Sequence, residues 1–163
     1  MNSEPKQDAH ESNACEELLS RVQIIELLNL YCFYFDSNNT DGLRELFDER
    51  AVVDYGPEVD TLHGIDEVMT SIAKGLQTTF EATSHHLSNQ VITFDDVNNA
   101  RSNSYVFAWH RYKTKAEIGY LWGQYSHVLR RNSGTWKISE LTLRAVATQD
   151  FHRATMHPVV RNP

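Results

Sequence analysis

The sequence is poor in the residues that cross-link or punctuate a chain. It holds two cysteines in 163 residues, Cys15 and Cys32. Both fall in or just before one helical segment, too far apart along it to be bridged easily, so they read as free thiols of a reducing compartment. No C-x-x-C pair occurs and no set of ligands stands at metal-binding spacing, so no metal site is expected. The seven glycines form no phosphate-binding loop, and neither metal nor organic cofactor is expected. Basic residues are in the minority. Fifteen Lys and Arg against 22 Asp and Glu give a formal charge of -7. The basic residues are scattered, whereas a nucleic-acid partner needs a basic stripe. The same balance gives little attraction to anionic membranes. No uninterrupted apolar run approaches the roughly 20 residues that span a bilayer. Met1 to Asn13 is polar and acidic, without an apolar signal region. The expectation is a cytoplasmic protein with no membrane and no nucleic acid among its partners.

What is present is ordinary globular material, 40% hydrophobic and 23% charged, enough for one domain with a real core. Residues 1–15 read as a disordered tail and residues 16–149 as one domain. Residues 150–163 read as a second tail that closes a cavity or reaches a neighbouring subunit. A helix capped at Ser12 or Asn13 is expected to run to Asp36, with Val22, Ile25, Leu28 and Cys32 on its apolar face. Its last turns, Leu30 to Phe35, are apolar all round, which predicts burial on all sides and leaves Asp36 at the inner end of a nearly dry helix. A short helix follows from Thr40 to Phe47, then a short strand from Ala51 to Tyr55, and a third helix from Ile65 to about Leu76. Four strands complete the chain: Thr83–Phe94, Ala100–Thr114, Ile118–Arg131 and Trp136–Thr148, the last two joined by the Asn132-Ser133-Gly134 turn. Helices first and a sheet afterwards is an α+β arrangement with helices on one face. A strongly curved sheet of this kind leaves a one-ended cavity suited to a small molecule.

The residues that could carry chemistry gather around this cavity. A strand sends successive side chains to opposite faces. Of His85 and His86, therefore, one points inward and the other outward, and alternation alone does not choose between them. Asp36 is the natural partner. Burial would raise its pKa unless donors meet it, and the competing reading is a solvated helix-terminal acid. Tyr31 and Tyr34 can border the same pocket, where a phenol polarises a carbonyl or donates a proton, or they are core anchors. Trp109, His110, Trp122, Tyr125 and His127 lie on the middle strands, and some must line the cavity. Arg144, mid-strand among apolar residues, needs an acid or a ligand if it points inward, and Glu140 is the nearest candidate.

The residues Tyr31, Asp36, Ser84-His85-His86-Leu87-Ser88-Asn89, Gly134-Thr135-Trp136-Lys137-Ile138 and Arg144, with the order of elements, resemble the SnoaL-like, scytalone dehydratase-like branch of the nuclear-transport-factor-like superfamily. The resemblance extends from about Leu18 to Thr148. It implies a cone of curved antiparallel sheet closed by three helices. Dehydratase and dehydrochlorinase members use an Asp-His dyad, which implies Asp36 and His85 here, with His86 outside. A helical Tyr and a late-strand Arg of a bile-acid-processing member correspond to Tyr31 and Arg144. The second histidine of another member corresponds to His110. An additional middle-strand Asp has no counterpart, since this chain reads Phe107-Ala108-Trp109-His110 there. The resemblance thus implies a cofactor-independent dehydratase acting on a hydrophobic, aromatic, steroid-like or polyketide-like substrate. Tyr34, Trp109, Trp122 and Tyr125 would line its site, and the protein would be a homodimer or homotrimer. An isomerase, a cyclase or a non-catalytic binding protein on the same scaffold remains open.

Overall fold

Periodicity changes from helical to alternating near residue 80, and the architecture changes with it. The computed structural model describes the backbone of residues 4–160 and the side chains of residues 13–160. Helix α1 (Glu4–Asp36) is followed by α2 (Thr40–Leu46), β1 (Phe47–Asp54), β2 (Leu62–His63) and α3 (Ile65–Thr78). Four long strands come next: β3 (Phe80–Asp96), β4 (Asn99–Tyr112), β5 (Ile118–Asn132) and β6 (Thr135–Gln149). The sheet order is β2-β1-β6-β5-β4-β3. The four long strands form an antiparallel meander. β1 returns to pair with β6 in parallel, and β2 pairs antiparallel with β1. With β2 and β3 at its two edges the sheet is unclosed, and the result is an α+β cone.

Curvature is built in at irregularities. The register slips within β3 between Ser88 and Val91, and between β5 and β6 at Trp122/Gly123 and Val128/Leu129. Such bulges bend and twist a sheet. Glycine is required at one of them, because a Cβ on Gly123 would lie 2.5 Å from the Arg144 carbonyl oxygen. The β5–β6 hairpin turns through Ser133 (φ 50) and Gly134 (φ 84), the positive pair that a two-residue turn of this hand demands.

Strand alternation then selects the core. Ala100, Val106 and Ala108 of β4, Leu121, Tyr125 and Leu129 of β5, and Trp136, Ile138, Leu141 and Leu143 of β6 are buried against Ile24, Leu27, Leu28, Tyr31 and Cys32 of α1. Each large aliphatic side chain buried in this way contributes about 1.5–3 kcal/mol.

α1 departs from expectation in three ways. It passes through Ser12 and Asn13 instead of starting there, and its described backbone begins at Glu4. Of the tail expected over residues 1–15, residues 1–3 and the side chains up to residue 12 lie outside the described residues. Its buried face is also rotated. Val22 and Ile25 are 54% and 38% exposed, and Phe33, expected to be enclosed, is 66% exposed. Apolar residues surround this helix, so spacing alone could not say which of them meet the sheet. By length and composition Asn13–Asp36 is apolar enough to cross a membrane. In the fold one side of it covers the sheet, as a core helix does.

After β6 the chain folds back as a strap. Ala145 N–H donates to the His157 carbonyl (2.8 Å) and Val159 N–H to the Ala145 carbonyl (3.0 Å). His157 Nε2 lies 3.1 Å from Asp54 Oδ2. Glu58 Oε1 accepts from Thr155 N–H (2.6 Å) and Thr155 Oγ1 (2.8 Å). These ties lay residues 151–153 along the rim of the cone, where Phe151, His152 and Arg153 join the cavity lining.

Candidate active site

α1 ends where its last residue meets β3, the edge strand, and the carboxylate of Asp36 closes the joint. Asp36 Oδ1 accepts from Thr83 Oγ1 at 2.7 Å and lies 2.7 Å from His85 Nδ1. Asp36 Oδ2 accepts from the His85 backbone N–H at 2.7 Å. Burial pushes the Asp36 carboxyl up. The hydrogen bond and positive potential of His85, with the Thr83 hydroxyl and the His85 amide, outweigh it and hold the carboxyl below its ordinary value. An ionised Asp36 favours a proton on Nδ1, which leaves Nε2 as the ring nitrogen free to exchange one.

The His85 side chain is 7% exposed, that of Asp36 23%. On one side of them lies a cavity of about 400 Å³. On the other a more open groove of about 880 Å³ runs between α1 and β3 beside Val22, Phe33 and His86. The pair therefore forms part of the partition between the two.

The cavity wall is largely aromatic. The Phe35 ring lies 5.0 Å from that of His85, and the His110 ring 5.3 Å from it. Phe80 packs against His110 at 5.1 Å and against His152 at 5.1 Å. Burial, reinforced by His85 and His152, drives the His110 imidazole down to about 3. Burial, reinforced by Arg153 and Lys115, takes His152 down to about 4. Both rings are neutral at ordinary pH. Farther round the wall the Tyr31 and Tyr55 hydroxyls meet at 2.9 Å, with the Tyr125 ring edge-on to Tyr31 at 5.9 Å. Burial raises all three phenols, Tyr55 to about 12 and the other two well above their ordinary value. They remain O–H donors.

Of the residues singled out in the sequence, Asp36, His85, Tyr31, His110 and Tyr125 come together, with all but Asp36 lining this cavity. Trp109, Trp122, Arg144, Tyr34 and His127 do not join them. Trp109 and Trp122 project from the opposite face of the sheet, where Trp122 is 41% exposed beside Phe107 and Tyr120. Their odd and even positions alternate with the inward His110 and Leu121. Arg144 sits on that outer face too, opposite Gln124, because Leu143 takes the inward position on β6. It makes no ion pair with Glu140 among the described residues. Tyr34 packs beside Phe33 and over Gly42, away from the cavity. His86 faces outward, its ring 6.2 Å from Phe107 and its Nε2 3.0 Å from Ser84 Oγ.

Sequence reasoning missed Tyr55, Phe80 and Arg153, and took in His152 only as part of a tail that closes a cavity or reaches a neighbouring subunit. Tyr55 could have been found, since it continues the inward alternation of Ala51 and Val53. The strap residues carry no periodicity that would reveal them. Among the described residues, no group of three His, Cys, Asp or Glu side chains is arranged to hold a metal ion.

The profile of the SnoaL-like domain matches residues 16–142. Among solved structures, a candidate scytalone dehydratase from Novosphingobium aromaticivorans is 31% identical, with a TM-score of 0.86 over 92% of this chain and 99% of its own. The LinA-type3 hexachlorocyclohexane dehydrochlorinase of Novosphingobium barchaimii is 17% identical, with a TM-score of 0.77 over 91% of this chain and 99% of that one. A candidate aromatic ring hydroxylase from Novosphingobium aromaticivorans is 21% identical, with a TM-score of 0.74 over 80% and 91%. At those two lower identities the likeness is one of fold alone. No curated protein matches the chain.

Proposed function

The chain belongs to the SnoaL-like family, and from that premise we propose that it is a small-molecule lyase, a dehydratase of hydrophobic substrates. One observation carries the reading: an Asp-held imidazole borders a cavity of about 400 Å³ with largely aromatic walls. The candidate scytalone dehydratase and the dehydrochlorinase among its structural neighbours are both named for eliminations, and the Asp36–His85 geometry suits one.

In this mechanism Nε2 of His85 takes a proton from a carbon next to a carbonyl. Asp36 steadies the imidazolium that forms. The Tyr31 and Tyr55 hydroxyls are hydrogen-bonded to each other, and the one O–H that this pair leaves free donates toward the carbonyl oxygen as negative charge develops there. The neighbouring carbon–oxygen bond then breaks, and the hydroxyl departs as water with the proton that His85 had taken. His110, neutral, packs beside the base and helps keep water out. Residues 16–149 act as one domain, with the strap from residue 150 as its lid. The exposed Tyr105, Trp122 and Val146 of the outer sheet face support assembly into a homodimer or homotrimer.

A positioned base is worth about 10²–10⁴-fold in rate, so His85→Ala should lower turnover by that order without unfolding the protein. Full activity in the variant would remove His85 from the mechanism. Product mass separates the reaction types: loss of one water marks a dehydratase, and an unchanged mass marks an isomerase or cyclase.

A further inference from the structure

Three charged residues of the cavity lining, Glu58, Lys74 and Arg153, are not used by the mechanism above, and of these Arg153 alone is half-buried. The strap carries it in, and its environment is unusual for a cation. The guanidinium is half-buried and lies over the Tyr55 ring, 5.8 Å from the centroid. One of its N–H groups is donated to the Tyr55 carbonyl oxygen. Among the described residues no carboxylate lies within ion-pair distance of it.

The two nearby acids are engaged elsewhere. Glu58 is held by Thr155, and Asp54 by His157 and by the Gly56 N–H. A guanidinium has five N–H donors in a planar fork that matches a carboxylate bidentately. The one bond to the Tyr55 carbonyl is the only hydrogen bond of the Arg153 guanidinium among the described residues, and Arg153 lines the cavity. A half-buried cation without a counter-ion is costly, and burial does lower the Arg153 pKa. An anionic ligand would recover that cost. Lys74, the other cation of the lining, is exposed at the mouth, where water screens it.

Arg153 also serves a different stretch of wall from the base. Its neighbours are Tyr55 and Gly56, while those of His85 are Asp36, Phe35 and His110. Both residues line the one cavity.

We propose that Arg153 determines specificity by binding a carboxylate on the substrate, so that the substrates are flat, apolar molecules bearing a carboxylate at one end. This rests on the cavity being the substrate site, and it does not depend on which reaction His85 performs.

The test compares the binding of naphthalene carboxylate and its neutral carboxamide by titration calorimetry. Wild type should favour the carboxylate by at least ~10-fold, the scale of a charge-assisted hydrogen-bonded pair. His85→Ala should keep that preference even where turnover is lost, so a failure of this proposal and a failure of the lyase reading give different results. Arg153→Gln should abolish the preference. Arg153→Lys, which keeps a charge to support the strap should the Gln variant misfold, should reduce it several-fold because the planar fork is gone. Lys74→Met should leave it intact. Equal affinity for the two probes in wild type would overturn the proposal. So would a preference that survives both Arg153 substitutions, or one that disappears with Lys74.

Discussion

His85 and His127 are both enclosed by the same cone, yet only one is equipped for chemistry. His127 stands toward the far end of the strands, where β4 and β5 pair Ser102 with His127. Its Nδ1 lies 3.3 Å from Ser102 Oγ, and its Nε2 has no partner among the described residues. Burial alone drives its imidazole down to about 3, and it lines neither the cavity nor the groove described above. His85 has an ionised acid on one nitrogen and open space beside its ring. Burial by itself makes a histidine neutral and inert. A base additionally needs a fixed tautomer, a group to stabilise the proton it gains, and room for a substrate.

Three experiments would break or sharpen this contrast. The largest effect is expected at the acid. Asp36→Asn keeps the shape but removes the charge behind His85, and turnover should fall about 10²–10⁴-fold. His127→Leu, at the inert end, should stay within about threefold of wild type. Steady-state kinetics on the two variants reads the difference directly. Comparable losses in both would mean that the buried network works as a whole.

The second experiment uses acid. His110, His127 and His152 have folded values of about 3, 3 and 4, below their ordinary value of 6.5. Between those limits the unfolded chain binds more protons than the folded one. The stability tied to their neutrality is complete above about pH 6.5 and drains away as pH falls toward 3–4. Urea unfolding at pH 7 and pH 4 should show a drop on the order of 2 kcal/mol per histidine, and His127→Leu should make the drop smaller. An unchanged midpoint would show that these rings are not held neutral.

The smallest effect is expected next door to the base. His86→Ala, on the outer face, should change both turnover and stability by less than about twofold or 0.5 kcal/mol. A large loss would mean that the outer face contributes to the reaction.

The architecture was readable because its signals are local and redundant. Strand alternation, turn residues and capped helices all point to helices followed by a meander. The central pair was readable for a different reason: alternation forces one of His85 and His86 inward, and the resemblance said which. Three features escaped. The buried side of α1 was misjudged because Val22, Ile25 and Phe33 are as apolar as Ile24 and Leu28. Arg144 was expected in the cavity on its resemblance, but Leu141 and Leu143 hold the inward positions of β6 and leave it outside. The tail was read as closing a cavity or reaching a neighbouring subunit, but which of its residues enter the wall was hidden, because its position follows from long-range ties to Asp54, Glu58 and Ala145 that no periodic pattern encodes.

The three bonds at Asp36 bind residues 47 and 49 positions apart in the chain, and they do so at the seam between the first helix and an edge strand. Such seams loosen more readily than the middle of a sheet. The Asp36–His85 pair therefore doubles as a rivet, and its geometry reports on whether the helix is seated. Partial detachment of that helix would silence the protein while most of its meander stayed intact, so activity should be the first property lost under mild stress.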